Sequence, residues 1–109
     1  MKTVRVEIYA LSENDRKRLI LTDYENAGET LYNLLGHDCG VALPQGDITN
    51  GTTITVAAAG GGIYVAGNNV EPSEVPVGQG GSAKFIYDRS SVKWKVVSNT
   101  SAASGVVSI

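Results

Sequence analysis

Apolar and polar residues alternate strictly near both ends of the chain and follow other spacings between them. Val4, Val6, Ile8 and Ala10 alternate with Arg5, Glu7 and Tyr9, the period-two signature of a half-buried strand. Ser12, Glu13, Asn14 and Asp15 supply turn chemistry. Arg16-Lys17-Arg18-Leu19-Ile20-Leu21 then reads as a return strand with a basic start and a buried end. An N-terminal hairpin is the expectation.

The next stretch changes period. Thr22 and Glu25 match a capping box, and Tyr24, Ala27, Leu31, Leu34 and Leu35 recur at helical spacing. Gly28 interrupts that pattern, at a cost of about 1 kcal/mol relative to Ala in a helix. The predicted helix therefore starts at Gly28, with Glu29 near its positive end and Gly36 as its stop. One short α-helix is predicted over 28–35.

From Gly40 to Val70 Asp47 is the single charged residue. Asn50-Gly51 signals a turn, and 53–57 reads as a strand. Gly60-Gly61-Gly62 breaks it, and 63–66 reads as its partner. Pro72 and Pro76 keep 70–77 extended but poor in ladder donors, which suits an edge or a linker. Two alternating strands, 83–87 and 92–96, are joined through Asp88-Arg89-Ser90-Ser91 as a hairpin. Phe85 and Tyr87 face Trp94 and Val96 across it, while Lys84, Lys93 and Lys95 face water. Such cross-strand aromatic contacts contribute roughly 0.2–1 kcal/mol each. After a small polar run come Val106, Val107, Ser108 and Ile109. Apolar residues there either add a strand to their own sheet or insert into a neighbouring subunit.

Short strands with Gly-rich turns predict a mainly β protein, a β-sandwich or barrel-like domain with one short helix. A boundary near 44–51 would separate an α/β attachment part, 1–45, from a Gly-rich β part with a C-terminal tail, 46–109. Each part is too small for a good core alone. A single domain over 1–109 is the expectation.

Composition sharpens this. The 109 residues hold 9 Lys+Arg against 11 Asp+Glu, with 18% charged residues and 13 Gly. No basic excess exists to drive binding to a nucleic-acid backbone. No apolar run approaches the ~18 residues of a membrane span, so neither nucleic acid nor membrane is an expected partner. One cysteine, Cys39, can form neither an internal disulfide nor a Cys-rich zinc site. Lys2, Arg5 and Glu7 interrupt any signal-peptide pattern, so synthesis in the cytosol is expected.

Candidate chemistry is sparse. His37 and Cys39 stand two residues apart after the predicted helix, where a loop role explains them better than a nucleophile and its base. Gly60-Gly61-Gly62 and Gly78-Gln79-Gly80-Gly81 lack the following helix that a phosphate cradle requires. Ser90-Ser91-Val92-Lys93 matches Ser-x-x-Lys but lies on a hairpin. Asp23, Glu25 and Glu29 are explained by capping and dipole roles. Asn50-Gly51-Thr52 and Asn99-Thr100-Ser101 match the glycosylation pattern, which means little without a secretory signal. No enzyme, cofactor or metal site is expected.

The run from Val75 through Gly78-Gln79-Gly80-Gly81 to Phe85-Ile86-Tyr87-Asp88, then Val92-Lys93-Trp94-Lys95-Val96-Val97-Ser98, resembles the closing hairpin of small β-modules in tailed-bacteriophage virion proteins. The resemblance covers 50–98. It implies a non-enzymatic virion protein, made in the host cytoplasm and usually a homotrimer. A capsid decoration or head-fibre protein would bind the major capsid protein or another virion protein. Arg16, Lys17 and Arg18 are its candidate capsid contacts. Tyr64, Val106, Val107 and Ile109 are candidate subunit contacts. The alternative is a receptor- or glycan-binding module of a tail fibre, with Tyr64, Asn68 and Asn69 as its platform. Aromatics at 6% are few for a sugar binder.

Overall fold

The computed structural model describes residues 2–6, 18–35 and 39–99. Ten strands follow in chain order: β1 (Lys2–Val6), β2 (Arg18–Ile20), β3 (Glu29–Leu34), β4 (Cys39–Ala42), β5 (Thr53–Ala58), β6 (Ile63–Ala66), β7 (Val70–Glu71), β8 (Glu74–Val77), β9 (Ser82–Asp88) and β10 (Lys93–Asn99). They form a six-stranded sheet, β1-β3-β5-β9-β10-β7, and a four-stranded sheet, β2-β4-β6-β8.

Up to β6 the chain steps from one sheet to the other with every strand. In the larger sheet β3 lies parallel to β1, and β5 parallel to β3. In the smaller sheet β4 lies parallel to β2, and β6 parallel to β4. The result is a solenoid-like coil. Its far end is closed by antiparallel pairing of β9 with β5, β10 with β9, and β8 with β6, plus a short parallel contact of β7 with β10.

The protein is mainly β, and among the described residues no helix occurs. Three sequence expectations are corrected. The stretch predicted as a helix over 28–35 is strand β3. Leu31, Leu34 and Leu35 satisfy a helical period, but Thr30, Tyr32 and Leu34 also satisfy period two, and these three are the buried row. Parallel neighbours on both sides pair all of β3, from Glu29 to Leu34 against β5 and from Thr30 to Leu34 against β1. That pairing selects the strand. Thr22 and Glu25 do not build a capping box. Instead the Glu25 amide donates to Thr30 Oγ1 at 2.8 Å, and the Gly28 amide to the Glu25 carbonyl at 2.9 Å.

The expected N-terminal hairpin is the second correction, because β1 and β2 belong to different sheets. Alternation shows that a segment is extended and says nothing about which strand it pairs with. Ile8, Ala10 and the Ser12–Asp15 turn lie outside the described residues. In the same way β5 and β6 are not partners. The Gly60-Gly61-Gly62 corner sends the chain across to the other sheet. Gly60 passes so close to the preceding coil that an added Cβ would lie 1.6 Å from the Leu35 carbonyl oxygen, and its amide donates to the Leu34 carbonyl at 3.1 Å. The third correction concerns the layers themselves. The sheets are mixed and coil-connected, unlike the antiparallel ladders of a sandwich or barrel.

Inward-facing residues of both sheets form one core. Ile54, Val56, Phe85 and Trp94 come from the larger sheet, and Val41, Val65, Val75 and Val77 from the smaller. Leu21, Leu43 and Ile48 join it from connecting segments, so the cluster draws on both sides of the 44–51 boundary. The predicted final hairpin is present. Tyr87 stands opposite Trp94, and Phe85 opposite Val96. The Tyr87 and Trp94 rings meet edge to face, with centroids 5.1 Å apart. Trp94 is fully buried and its indole N–H donates to the Pro44 carbonyl at 3.0 Å.

Candidate interaction surfaces

The two sheets present different outer faces. Strand alternation places Arg5, Glu29, Lys84, Lys93 and Lys95 on the outside of the six-stranded sheet, with Glu71 at its edge. The inner strands of the smaller sheet turn Gly40, Ala42, Tyr64 and Ala66 outward, with no charge among them. Arg18 and Glu74 stand on its edge strands, in register with Gly40 and Ala66. Ile20, next along β2, is 65% exposed. Tyr64 lies flat across Gly40: a Cβ there would meet the ring and its hydroxyl at 3.0–3.1 Å. A sheet face normally carries polar residues where it meets water.

Two clefts adjoin this end of the molecule. One, of about 360 Å³, lies between the smaller sheet and the 21–24 segment, walled by Ile20, Tyr24, Ala42, Leu43, Pro44 and Gln45. The other, of about 510 Å³, is lined by Pro44, Gln45, Gly46, Asn68, Tyr87 and Val92, with Asn69 beside them. Asn69 is committed to structure, since its amide donates to the Leu43 and Pro44 carbonyls at 3.2 and 3.3 Å. Asn68 and Asn69 line this second cleft, and Tyr64 lines neither of the two.

The loops around the second cleft are tied together. Arg89 Nη1 donates to Asp47 Oδ1 at 2.8 Å and to the Ile48 carbonyl at 3.1 Å, and the Arg89 amide donates to Asn50 Oδ1 at 2.9 Å. Asn26 Oδ1 accepts from the Thr49 amide at 2.9 Å. Val92 holds φ at 58° with its side chain 61% exposed, a left-handed conformation rare for a β-branched residue. No signal in the sequence marked Pro44, Gln45 or Val92. They meet through contacts far apart along the chain.

The remaining predicted positions have clear places. The Ser90 hydroxyl donates to Asp88 Oδ1 at 2.8 Å and the Ser91 hydroxyl to Asp88 Oδ2 at 3.1 Å, so the Ser-x-x-Lys match is a turn. Ser90 and Lys95, whose Nζ is 3.0 Å from Asp88 Oδ2, hold the Asp88 carboxyl down at about 2, against an ordinary 3.8. Asp88 in turn raises the Lys95 ammonium. The Tyr32 hydroxyl donates to the Asp23 carbonyl and accepts from its amide, and burial raises its pKa. Asp23 also pairs with Lys2 at 3.0 Å. The carboxylates expected near a helix start are therefore loop and strand residues. Among the described residues no group of His, Cys, Asp and Glu side chains could hold a metal ion. Arg16, Lys17, His37, Val106, Val107 and Ile109 lie outside the described residues, and Arg18 begins β2.

No protein-family model and no curated protein matches the chain. A solved chain from a work described as "Structure of a chaperone-substrate complex" is similar, with a TM-score of 0.56 and 22% identity over 76% of this chain and 14% of that one. The present chain thus spans a small part of that protein's length. At this identity the likeness concerns the fold alone.

Proposed function

We propose that the chain is a non-enzymatic virion structural protein of a tailed bacteriophage, a capsid decoration or head-fibre protein that binds the assembled shell and reinforces it. It works by self-association as a homotrimer and by many weak contacts at symmetric sites on the major capsid protein or another virion protein. The observation that carries this reading is the difference between the outer faces. One is charged, and the other offers Gly40, Ala42, Tyr64 and Ala66, a surface suited to burial in an assembly. The hairpin of β9 and β10, which bears the resemblance to virion modules, supports it further. Arg16, Lys17 and Arg18 are the proposed shell contacts, and Tyr64 a contact between subunits.

Light scattering on the full chain tests the assembly. A mass of three chains is expected, and a monomer at all accessible concentrations would overturn it. Presence of the chain in gradient-purified phage particles tests the location. The amide-bearing cleft at Gln45 and Asn68 favours one second reading, a receptor- or glycan-binding module. A monomer that retains a defined glycan on an array would establish that reading instead.

A further inference from the structure

The second cleft is walled by loops that hydrogen bonds fix in place. Pro44 is buried, and its carbonyl accepts from the Trp94 indole N–H at 3.0 Å and from the Asn69 side-chain amide at 3.3 Å. The same Asn69 amide donates to the Leu43 carbonyl at 3.2 Å. Tyr87, also on the cleft wall, packs edge to face on the fully buried Trp94. The 44–46 and 67–69 loops and the closing hairpin thus meet around one hollow of about 510 Å³, inside the roughly 300–1,000 Å³ of small-molecule sites.

Polar side chains in this hollow have hydrogen-bonding capacity left over. Tyr87 is 4% exposed, yet its hydroxyl makes no hydrogen bond among the described residues. No fully enclosed side-chain nitrogen or oxygen there lacks a partner, so this hydroxyl reaches the surface, and the surface that Tyr87 shares is the cleft. Buried polar groups are ordinarily satisfied within the protein, and one that opens only on a cleft is satisfied by whatever fills it. The side-chain amides of Gln45 and Asn68, both exposed on the same wall, make no hydrogen bond among the described residues either. Each amide both donates and accepts, as does the phenol.

Charge and shape narrow the ligand. No charged side chain lines the cleft, and Asp47 and Arg89 on the adjoining loops are paired with each other at 2.8 Å. The matching ligand is uncharged. Pro44 and Val92 supply an apolar side. Val92 is 61% exposed and held at φ 58°, a strained conformation of the kind that collects at ligand clamps. Amides and a hydroxyl beside an apolar wall match a neutral pyranose, whose hydroxyls donate and accept and whose ring C–H groups are apolar. An extended peptide fits less well. It would add to a free strand edge, and the edge strand that follows Asn69, β7, ends at Glu71 before Pro72.

We infer that this cleft binds a neutral saccharide, with Gln45, Asn68 and the Tyr87 hydroxyl hydrogen-bonding its hydroxyls and Pro44 and Val92 covering its C–H face. The inference rests on the second reading above, a glycan-binding module, and gives that reading its site and its ligand class.

An array of immobilised glycans tests it with the full chain. One arm carries glycans ending in galactose, glucose, mannose or N-acetylglucosamine, the other glycans ending in sialic or glucuronic acid. Retention on the neutral arm is expected. The retained sugar is then titrated as its methyl glycoside into isotope-labelled chain. The amide signals of Gln45, Asn68 and Val92 are expected to shift, and those of Arg5 and Thr55 to stay. Tyr87→Phe keeps the ring on Trp94 and removes the hydroxyl, so an affinity about two- to tenfold weaker is expected, the effect of one neutral hydrogen bond. Gln45→Ala combined with Asn68→Ala, both at exposed side chains, is expected to weaken binding at least about tenfold with the melting temperature unchanged. Retention on the acidic arm alone would overturn the inference. So would neutral binding that these variants leave intact and that shifts signals elsewhere, and the glycan-binding reading would then stand without this site. No retention on either arm sinks both. Shifts at Gln45 and Asn68 with neutral peptides and with no glycan would assign the cleft to a peptide and overturn the saccharide.

Discussion

The first coil and the closing strands are built from the same kind of alternating sequence, yet they pack differently. In β1 the inward residues Val4 and Val6 are half-buried, and Leu19 of β2 is likewise only partly covered. In β9 and β10 the inward Ala83, Phe85 and Trp94 are fully buried. The reason is position in the stack. Among the described residues every inner strand of a coil is covered by neighbours on both sides, while β1 and β2 each have one paired neighbour. The closing strands β9 and β10 have neighbours on both sides, β5 and β7 included, and they bring large aromatic side chains to the core and close the coil with an antiparallel hairpin. A repeat that cannot bury its own face needs a cap of this kind. The comparison teaches that burial in this fold follows strand position: inner strands, parallel or antiparallel, bury most of their inward residues fully, while β1 and β2 leave theirs half-covered.

Mutation tests that gradient directly. Trp94→Ala is expected to cost about 3–5 kcal/mol, the range for deleting a large buried aromatic, and it also removes one of the two hydrogen bonds that the Pro44 carbonyl accepts. Val4→Ala, removing a half-buried side chain in the first coil, is expected to cost about 1 kcal/mol. Urea titrations of both variants provide the check. Equal losses would break the comparison.

The turn of the closing hairpin holds a residue in the left-handed region. Val92 sits at φ 58°, and the left-handed region costs an ordinary L-residue about 1–2 kcal/mol. Glycine would relieve that cost and lose part of the gain through the freedom of its unfolded chain. Val92→Gly is therefore expected to raise stability by about 0.5–1 kcal/mol, read as a higher melting temperature. A lower one would show that the Val92 side chain supports the 89–92 turn.

The smallest effect concerns acid. The Asp88 carboxyl titrates at about 2 in the folded chain against an ordinary 3.8. Between those values the unfolded chain binds more protons, so this group's stabilisation is complete above the ordinary value and is lost as pH falls through about 2. Thermal melts from pH 5 to 2 are expected to show a shallower fall for Asp88→Asn than for the parent chain. Parallel curves would place the acid sensitivity elsewhere, away from the hairpin.

Much of this could be read along the chain. The 83–87 and 92–96 strands, the facing of Phe85 and Tyr87 with Trp94 and Val96, and the poor edge around Pro72 and Pro76 all follow from local rules. Each depends on residues close in sequence, where alternation, proline chemistry and turn length act directly. The clefts were not legible, because Pro44 meets Trp94 and Asn69 only after the coil has closed. The weakly charged face was half legible. The absence of charge between Gly40 and Val70, apart from Asp47, was plain, but which residues share a face depends on register between strands.

By itself, then, the sequence determined that the chain is mainly extended, where its strands break, and that its final hairpin carries the aromatic anchor. Tertiary structure alone decided partners. Glu29–Leu34 satisfies both a helical and a period-two pattern, and only the parallel strands on either side of it resolve that ambiguity. The same holds for β1 with β2 and β5 with β6, which alternation would have joined as hairpins. An isolated strand buries one face whichever neighbour it has. Its neighbour is chosen by what the whole coil can bury at once, and that energy is shared among residues too distant for any local pattern to record.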